Sequence, residues 1–593
     1  MCDTSEDSQV RRHQLVLAAE QADSGAQCAL GLMHHYGQGG PADSAEARRL
    51  LGLAAAQGDA NAQCMLGIMH RDGKGGPADF AEARRLLGLA AAQGHALSQY
   101  TLGIMHRDGE GGPEDFAEAR RLCGLAVAQG NANVQYTLGI MHRNGLGGPK
   151  DSAEARRLLG LAAAQGNAEA QCALGHMHQA GEGGLADFAE ARRLLGLAAA
   201  QGDADAQCVL GLMHRFGQGG PVDFTEARRL YGLAAAQGHA DAQCNFGYMH
   251  GHGQGGPVHL VEVRRLFGLA ADQGHAAAQF NLGQMHRDGE GCPVDFAEAR
   301  RLLGLAAAQG NVNAQCNLGC MHHSGQGGPV DFAEARRLYG LAAAQGQADA
   351  QGMLGDMHRG GEGGPEDFAE ARRLYGLAAA QGDADAQALL ASMHARGGGG
   401  PQDLAEARRL YWYAAEQGHA GAQAELGGMY YNGQSGPQDF AEARRLFGLA
   451  AEQGDAEAQT MLGEMHCRGE GGPADFAEAR QLLGPAAAQG DARAQATLAA
   501  MHCRGDGGPQ DFTEARRLYV LAAEQGDARG QAALDDFDRA AEAQRAQELA
   551  DADAMMEQLL AEDVEEKKAK GAAKSAKSAK SKNSRASAAP PSA

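Results

Sequence analysis

"MHRDGEGGPEDFAEARRL" occupies residues 105–122, and nearly the same string stands at 69–86, 141–158 and 285–302. A glutamine upstream of it recurs at Gln27, Gln63, Gln99, Gln135 and onward to Gln531, always 36 residues apart, so fourteen units follow one another without an insertion or deletion. Self-similarity at a period of roughly 20–50 residues marks a solenoid or array. It overrides the roughly four domains that length alone would suggest.

One unit supplies the local structure. In "GDANAQCMLGIMHRDG", Asp59 is an N-cap and Gly73 a C-terminal stop, so the pattern predicts a helix A over about 60–71. "GKGGPAD" is a turn. "DFAEARRLLGLAAAQG" then opens on Asp79 with Glu82 three residues later, a pair resembling a capping box. It predicts a helix B that runs to Gln93 and stops at Gly94. No segment alternates with period two, so the expected class is all-α.

The unit "AQAELGGMYYNGQSGPQDFAEARRLFGLAAEQGDA" at 422–456 resembles a Sel-one-like repeat, a relative of the tetratricopeptide repeat, through "LGxxY", "GxGxPxD", the alanine of "EA" and the closing "AAEQG". The resemblance extends over all fourteen units, about 85% of the chain. It implies a right-handed superhelical solenoid of helix-turn-helix repeats with helix A on the concave side. Several positions depart from the family pattern. Most units carry His where Tyr is usual, and twelve carry a helix B Gly equivalent to Gly52. Leu185 replaces the turn proline, His259 replaces the capping Asp, and Pro485 falls inside a helix B. An interior helical Gly costs about 1 kcal/mol relative to Ala, so a loosely stable array is expected. Pro485 is expected to kink its helix and make the thirteenth unit the weak point.

The expected organisation is a disordered segment at 1–13, a partial repeat at 14–26 and fourteen repeats at 27–530. A capping, coiled-coil-like helix at 531–568 and a disordered basic tail at 569–593 follow. The tail sets the charge pattern. From Lys567 onward there are eight basic and no acidic residues, so a chain of net charge −22 carries about −30 in its body, a poor match for nucleic acid. The N-terminal stretch lacks the apolar core of a secretory signal, and no run approaches the roughly 18 apolar residues of a membrane span. The expected localisation is cytoplasmic, with nuclear import through Lys567–Lys570 as the alternative.

The Gly-rich turn lacks the Lys-Ser/Thr of a phosphate loop and the spacing of a dinucleotide fingerprint. A helix stop followed by a tight turn explains all fourteen copies. The Met-His pair appears in thirteen units, from His34 to His502. Parallel copies on helices ~8–10 Å apart do not converge on one ion, so a packed, hydrogen-bonded histidine is expected. Cys28, Cys64, Cys172, Cys208, Cys244 and Cys316 share a column too widely spaced for disulfides. Cys316, Cys320 and His323 lie at helical spacing, which chance within a Cys-rich column explains. Arg48/Arg49 and their equivalents, with Glu three residues before the second Arg, read as a solvated salt-bridge ladder. No catalytic set can be assembled uniquely, and no catalytic, metal or cofactor site is expected.

Binding is read from variation between copies. The columns of Gln27, Leu30, Gly31, Met33 and His34 are nearly constant; those of Cys28, Ala29, Leu32, His35 and Tyr36 vary. On a helical wheel the two sets fall on opposite faces. The Leu32 column runs Leu32, Ile68, Ile104, Ile140, His176, Leu212, Tyr248, Gln284, Cys320, Asp356, Ser392, Gly428, Glu464, Ala500, apolar first and polar later. The expected groove residues are Leu32, Ile68, Ile104, Ile140, Leu212, Tyr248, Tyr36, Phe216 and Trp412. The expected function is a non-enzymatic scaffold or adaptor that holds a protein partner, peptide or folded, in this groove. Two alternatives remain: a hydrolase like the activity ascribed to some secreted bacterial family members, and a nuclear protein touching nucleic acid through residues 567–593.

Overall fold

A computed structural model describes residues 5–583. They form thirty α-helices and, among the described residues, no strand. Twenty-eight of the helices make fourteen A/B pairs, from Ser24–Tyr36 with Ser44–Ala56 in repeat 1 to Ala492–Arg504 with Phe512–Glu524 in repeat 14. The chain divides into two compact units, Met1–Ala314 with Gln326–Pro329, and Gln315–Gly325 with Val330–Ala593. Each unit is a stack of these pairs.

The local signals act as their chemistry requires. In repeat 2, Asp59 accepts from the Ala62 N–H at 2.8 Å and starts helix A at Ala60. Gly73 ends it in the left-handed conformation at φ 70°. Asp79 then accepts from the Glu82 N–H at 2.9 Å and starts helix B, Phe80–Ala92. His259, which stands in place of a capping Asp, makes no side-chain cap bond. In the turn, Gly75 is needed twice over: its φ is 74°, and a Cβ there would press into the Ser44 carbonyl of the preceding helix B.

The core is Ala, Leu and Met from the constant faces. Ala47, Leu51 and Ala54 of helix B are wholly buried with Met69 and Ala62 of the next helix A. Gly67 lets the two helices of repeat 2 approach closely, since a Cβ there would lie 2.8 Å from Leu87 Cγ. Polar groups tie one repeat to the next. The buried Gln63 amide donates to the Ala55 carbonyl at 3.1 Å, and its oxygen accepts from Gln93 at 2.8 Å. The pattern recurs at Gln171 and Gln201 and at Gln423 and Gln453. Paired buried amides of this kind fix register, because a slip would strand them without partners.

The ends differ from expectation. A helix spans Ser5–Glu20, so most of the stretch expected to be disordered is helical, and residues 1–4 lie outside the described residues. Helix A of repeat 1 begins at Ser24, three residues before the glutamine from which the units were counted. The C-terminal helix runs Ala528–Asn583, past the expected boundary at 568. Only its first turns cap the array: Leu534 and Phe537 pack against repeat 14, whereas Leu549, Met556 and Leu560 are exposed. Lys567 and Lys570 lie in this helix, paired with Asp563 at 2.6 Å and Glu566 at 2.5 Å. Residues 584–593 of the expected tail lie outside the described residues.

Pro485 does not break its helix, which continues from Phe476 to Ala488. It is the fourth residue from the helix end, and its missing N–H leaves the Gln481 carbonyl without its helical donor. Its effect is local: the Gln489–Gln459 bond lengthens to 3.4 Å, against 2.8 Å for Gln453–Gln423 in the repeat before.

Candidate binding groove

Of the variable columns of helix A, the cysteines of the Cys28 column are buried between repeats, whereas the Leu32, His35 and Tyr36 columns stay largely half-buried or exposed, and clefts open along them within each unit. In the first unit, Ile104 lines a cleft of about 450 Å³ with Tyr100, Tyr136 and Thr137, flanked by Arg71 and Arg107. Tyr100 and Thr137 lie 3.4 Å apart through their hydroxyls. Further along, the Arg215 guanidinium lies 4.2 Å above the Tyr248 ring and 4.9 Å from Phe216, and His252 stacks on Tyr248 at 3.9 Å. The structure thus brings Tyr248 and Phe216 together through an arginine that the sequence pattern does not single out.

Other expected groove residues are placed differently. Leu32, Ile68 and Ile140 are half-buried and pack against the cores between repeats, so they are floor rather than anchors. Leu212 is half-buried, while Tyr36 is 62% exposed and edge-on to His35 at 4.8 Å. Trp412 is a correction. It lies on helix B of repeat 11, Leu404–Glu416, beside Tyr413 at 5.1 Å, and lines none of the helix A clefts described here.

The second unit presents another chemistry. A cleft of about 1020 Å³ carries Asp385, Glu425, Asp455 and Glu457 against His419 and Arg493. Burial, with the neighbouring Glu457 charge, pushes the Glu425 carboxyl upward. His419 Nε2 lies 3.3 Å from Asp385. Arg493 also reaches Glu464, which lines a separate cleft and is itself buried, its side chain only 3% exposed. Arg493 grips it in a two-pronged ion pair and Arg468 pairs with it at 2.7 Å. Burial acts to raise its carboxyl, but the Arg493 hydrogen bond and the Arg493, Arg468 and Arg529 charges outweigh it and hold the group below the usual range.

The repeated Arg pair, expected to be a solvated ladder, has two roles. Arg49 does pair with Glu46 at 2.6 Å on the exposed face. Arg48 reaches instead into the next repeat, where it lies 2.6 Å from His70 Nδ1. The same clamp joins Arg156 to His178, Arg336 to His358 and Arg444 to His466. Burial, then the adjacent Arg charge, lowers the affinity of His70 for protons, so a neutral ring accepts from the guanidinium. In repeat 12 Tyr430 replaces the His, and Arg408 of repeat 11 lies over its ring at 4.1 Å. Most of the histidine ladder is therefore packed and hydrogen-bonded, while at His106 and His502 the buried Nδ1 has no hydrogen-bond partner among the described residues. The Gly-rich turn is likewise structural, since the Glu118 N–H at the following helix start already donates to Asp115 at 2.9 Å.

Cys316, Cys320 and His323 do not converge: His323 turns to Glu362 at 2.7 Å, and Cys320 accepts from the Tyr339 hydroxyl at 3.1 Å. None of the eleven described cysteines forms a disulfide. No helix among the described residues is long and apolar enough to cross a membrane.

The Sel1 repeat model matches the chain in fourteen consecutive segments, from 24–59 to 492–527. Among solved structures, the chain is similar to c5321, a protective antigen of uropathogenic Escherichia coli strains with an SLR fold. The two share 28% identity over 77% of this chain and 96% of that one, at a TM-score of 0.63. A Sel1 repeat protein from Oxalobacter formigenes is 30% identical over 52% of this chain and 89% of that one, at a TM-score of 0.44. None of the curated proteins matches the chain.

Proposed function

Because this chain belongs to the Sel1 repeat family, we propose that it is a non-enzymatic scaffold that holds a protein partner along the helix A face. The observation that carries this reading is the division of labour within each repeat. Caps, amide pairs and Arg–His clamps recur nearly unchanged, while the uncovered face changes from copy to copy. A stack whose stability is carried elsewhere is free to vary that face for recognition. The aromatic anchors in the first unit, with arginines beside them, are residue types enriched at energetic centres of interfaces. The five carboxylates in the second unit's cleft, Asp356 among them, suit a cationic segment.

The test is quantitative affinity capture with the full chain, comparing Tyr100→Ala/Ile104→Asp with Leu53→Asp on the exposed side of helix B. A partner whose recovery falls at least tenfold with the first variant and is unchanged with the second supports the groove. Equal recovery from both, in chains of unaltered helicity, ends this reading. Cytoplasmic residence is part of the proposal, with import through Lys567–Lys570 as its alternative. A fusion cut before Lys567 that redistributes would favour import.

A further inference from the structure

Repeat 5 holds a cluster that none of the roles above uses. Six helix A copies carry Cys in the column of Cys28, but only repeat 5 adds a His four residues on, Cys172 and His176 in "CALGH". Spacing of four puts both side chains on one face of Ala168–Ala180. Asp205, from helix A of repeat 6, meets them. Its Oδ2 lies 3.6 Å from His176 Nε2 and 4.0 Å from Cys172 Sγ, and the three donor atoms all fall within 4.8 Å of one another. Donors on one tetrahedral zinc, at bond lengths of about 2.0–2.3 Å, stand roughly 3.3–3.8 Å apart. Closing the cluster on an ion therefore needs side-chain shifts under about 1 Å, which rotamer adjustment supplies.

A second layer is already in place. His239 caps the next helix A by accepting the Ala242 N–H on Nδ1 at 3.3 Å. Its proton must then sit on Nε2, which lies 3.4 Å from Asp205 Oδ1 and leaves Oδ2 facing the cluster. Arg143, a cation that acts on the Cys172 thiol, is paired in a two-pronged contact with Glu182 at 2.8 and 3.1 Å. Asp203 stands behind the Cys172 thiol, so two carboxylates flank it.

We propose that Cys172, His176 and Asp205 form a divalent metal site of the zinc class, with the fourth position open to water. One sulfur, one imidazole nitrogen and one carboxylate oxygen are a borderline-soft donor set that suits Zn²⁺ over Mg²⁺ or Ca²⁺. Binding breaks the S–H bond of Cys172, forms the S–metal bond and releases one proton to solvent. The ion joins repeat 5 to repeat 6 across the helix A face.

The test uses the full chain, reduced and chelator-stripped, titrated with Zn²⁺ against a chromogenic chelator, with Co²⁺ as a spectroscopic probe. The expected result is one competitive equivalent and a thiolate-to-cobalt charge-transfer band. Both are lost in Cys172→Ala/His176→Leu, whose new residues occur at the same places in repeats 12 and 6, as Ala424 and Leu212. Both persist in Cys28→Ala. His239→Asn keeps a capping side chain but frees Asp205, and is expected to weaken the site 10–100-fold. Circular dichroism confirms folding of each variant. An equivalent or a cobalt band that survives in the double variant overturns the proposal, as does a wild-type chain with neither.

Discussion

Ile104 and Glu464 occupy the same place in their repeats, one in each unit, and they have become different things. Ile104 lines an aromatic cleft and can be changed without touching the clamps that hold repeat to repeat. Glu464 is gripped by Arg493 from the next helix A and by Arg468 from its own. At Glu464 a residue of the recognition face has been drawn into the structure. The contrast shows that the repeat separates stability from recognition by default, and that a single buried carboxylate suffices to couple them.

The largest expected effect tests that coupling. Glu464→Leu brings in a residue of the type found at Leu32 and removes the common partner of three half-exposed arginines. Removing one member of a fully buried pair costs about 3–5 kcal/mol. Here the arginines can rehydrate, so a loss of about 2–3 kcal/mol is expected. It should appear in urea denaturation as early melting of repeats 13 and 14. Because the folded carboxyl titrates below its ordinary value, its contribution is whole above about pH 4.3 and fades as pH falls through the folded value. The variant should lose that acid limb. A variant as stable as the parent would mean that the two columns do not differ in kind.

A smaller effect distinguishes the units through the Arg–His clamps. His70 and its equivalents have lowered proton affinity, so the unfolded chain binds protons first on acidification. Stability is whole above about pH 6.5 and is lost as pH falls from there through the folded values. Repeat 12, with Tyr430 under Arg408, lacks this sensitivity. His70→Tyr should make the fall in urea midpoint between about pH 7.5 and 5.5 shallower. Tyr430→His should make it steeper. Identical slopes would show that the clamps carry no titrating load.

Much of this architecture can be read in the chain because its signals are local and repeated. Asp59, Gly73 and Asp79 each act within four residues, and fourteen copies remove the ambiguity of one. What escapes reading spans repeats. Arg48 and His70 are 22 residues apart, and Cys172 and Asp205 are 33 apart. Neither pairing follows from a single repeat. The Cys172–His176 spacing is visible in the sequence, but its meaning depends on what the next helix places opposite. Trp412 stands in a helix B column and lines none of the helix A clefts described above. Pro485 leaves its helix continuous, and its trace is at the helix end, where the Gln489 N–H turns to the Pro485 and Ala487 carbonyls and the Gln489–Gln459 contact lengthens.

The smallest effect lies where the two units should not differ at all. Gly88 and Gly124 in the first unit, and Gly340 and Gly376 in the second, sit inside helix B, and a methyl group added at any of them would meet nothing within 4 Å. Alanine there gains helix propensity and narrows the unfolded ensemble at no steric cost, worth up to about 1 kcal/mol per site. Each pair of substitutions should raise stability by roughly 1–2 kcal/mol, equally in both units. Helix A glycines provide the opposite sign. A Cβ at Gly67 would stand 2.8 Å from Leu87 Cγ, and one at Gly355 2.7 Å from Tyr375 Cε1, so alanine at either should destabilise. Denaturation midpoints of the four variants decide the matter. If the helix B gains were absent or confined to one unit, that side of the stack would be covered in the folded protein, and the division between a bland helix B side and a recognising helix A face would fail.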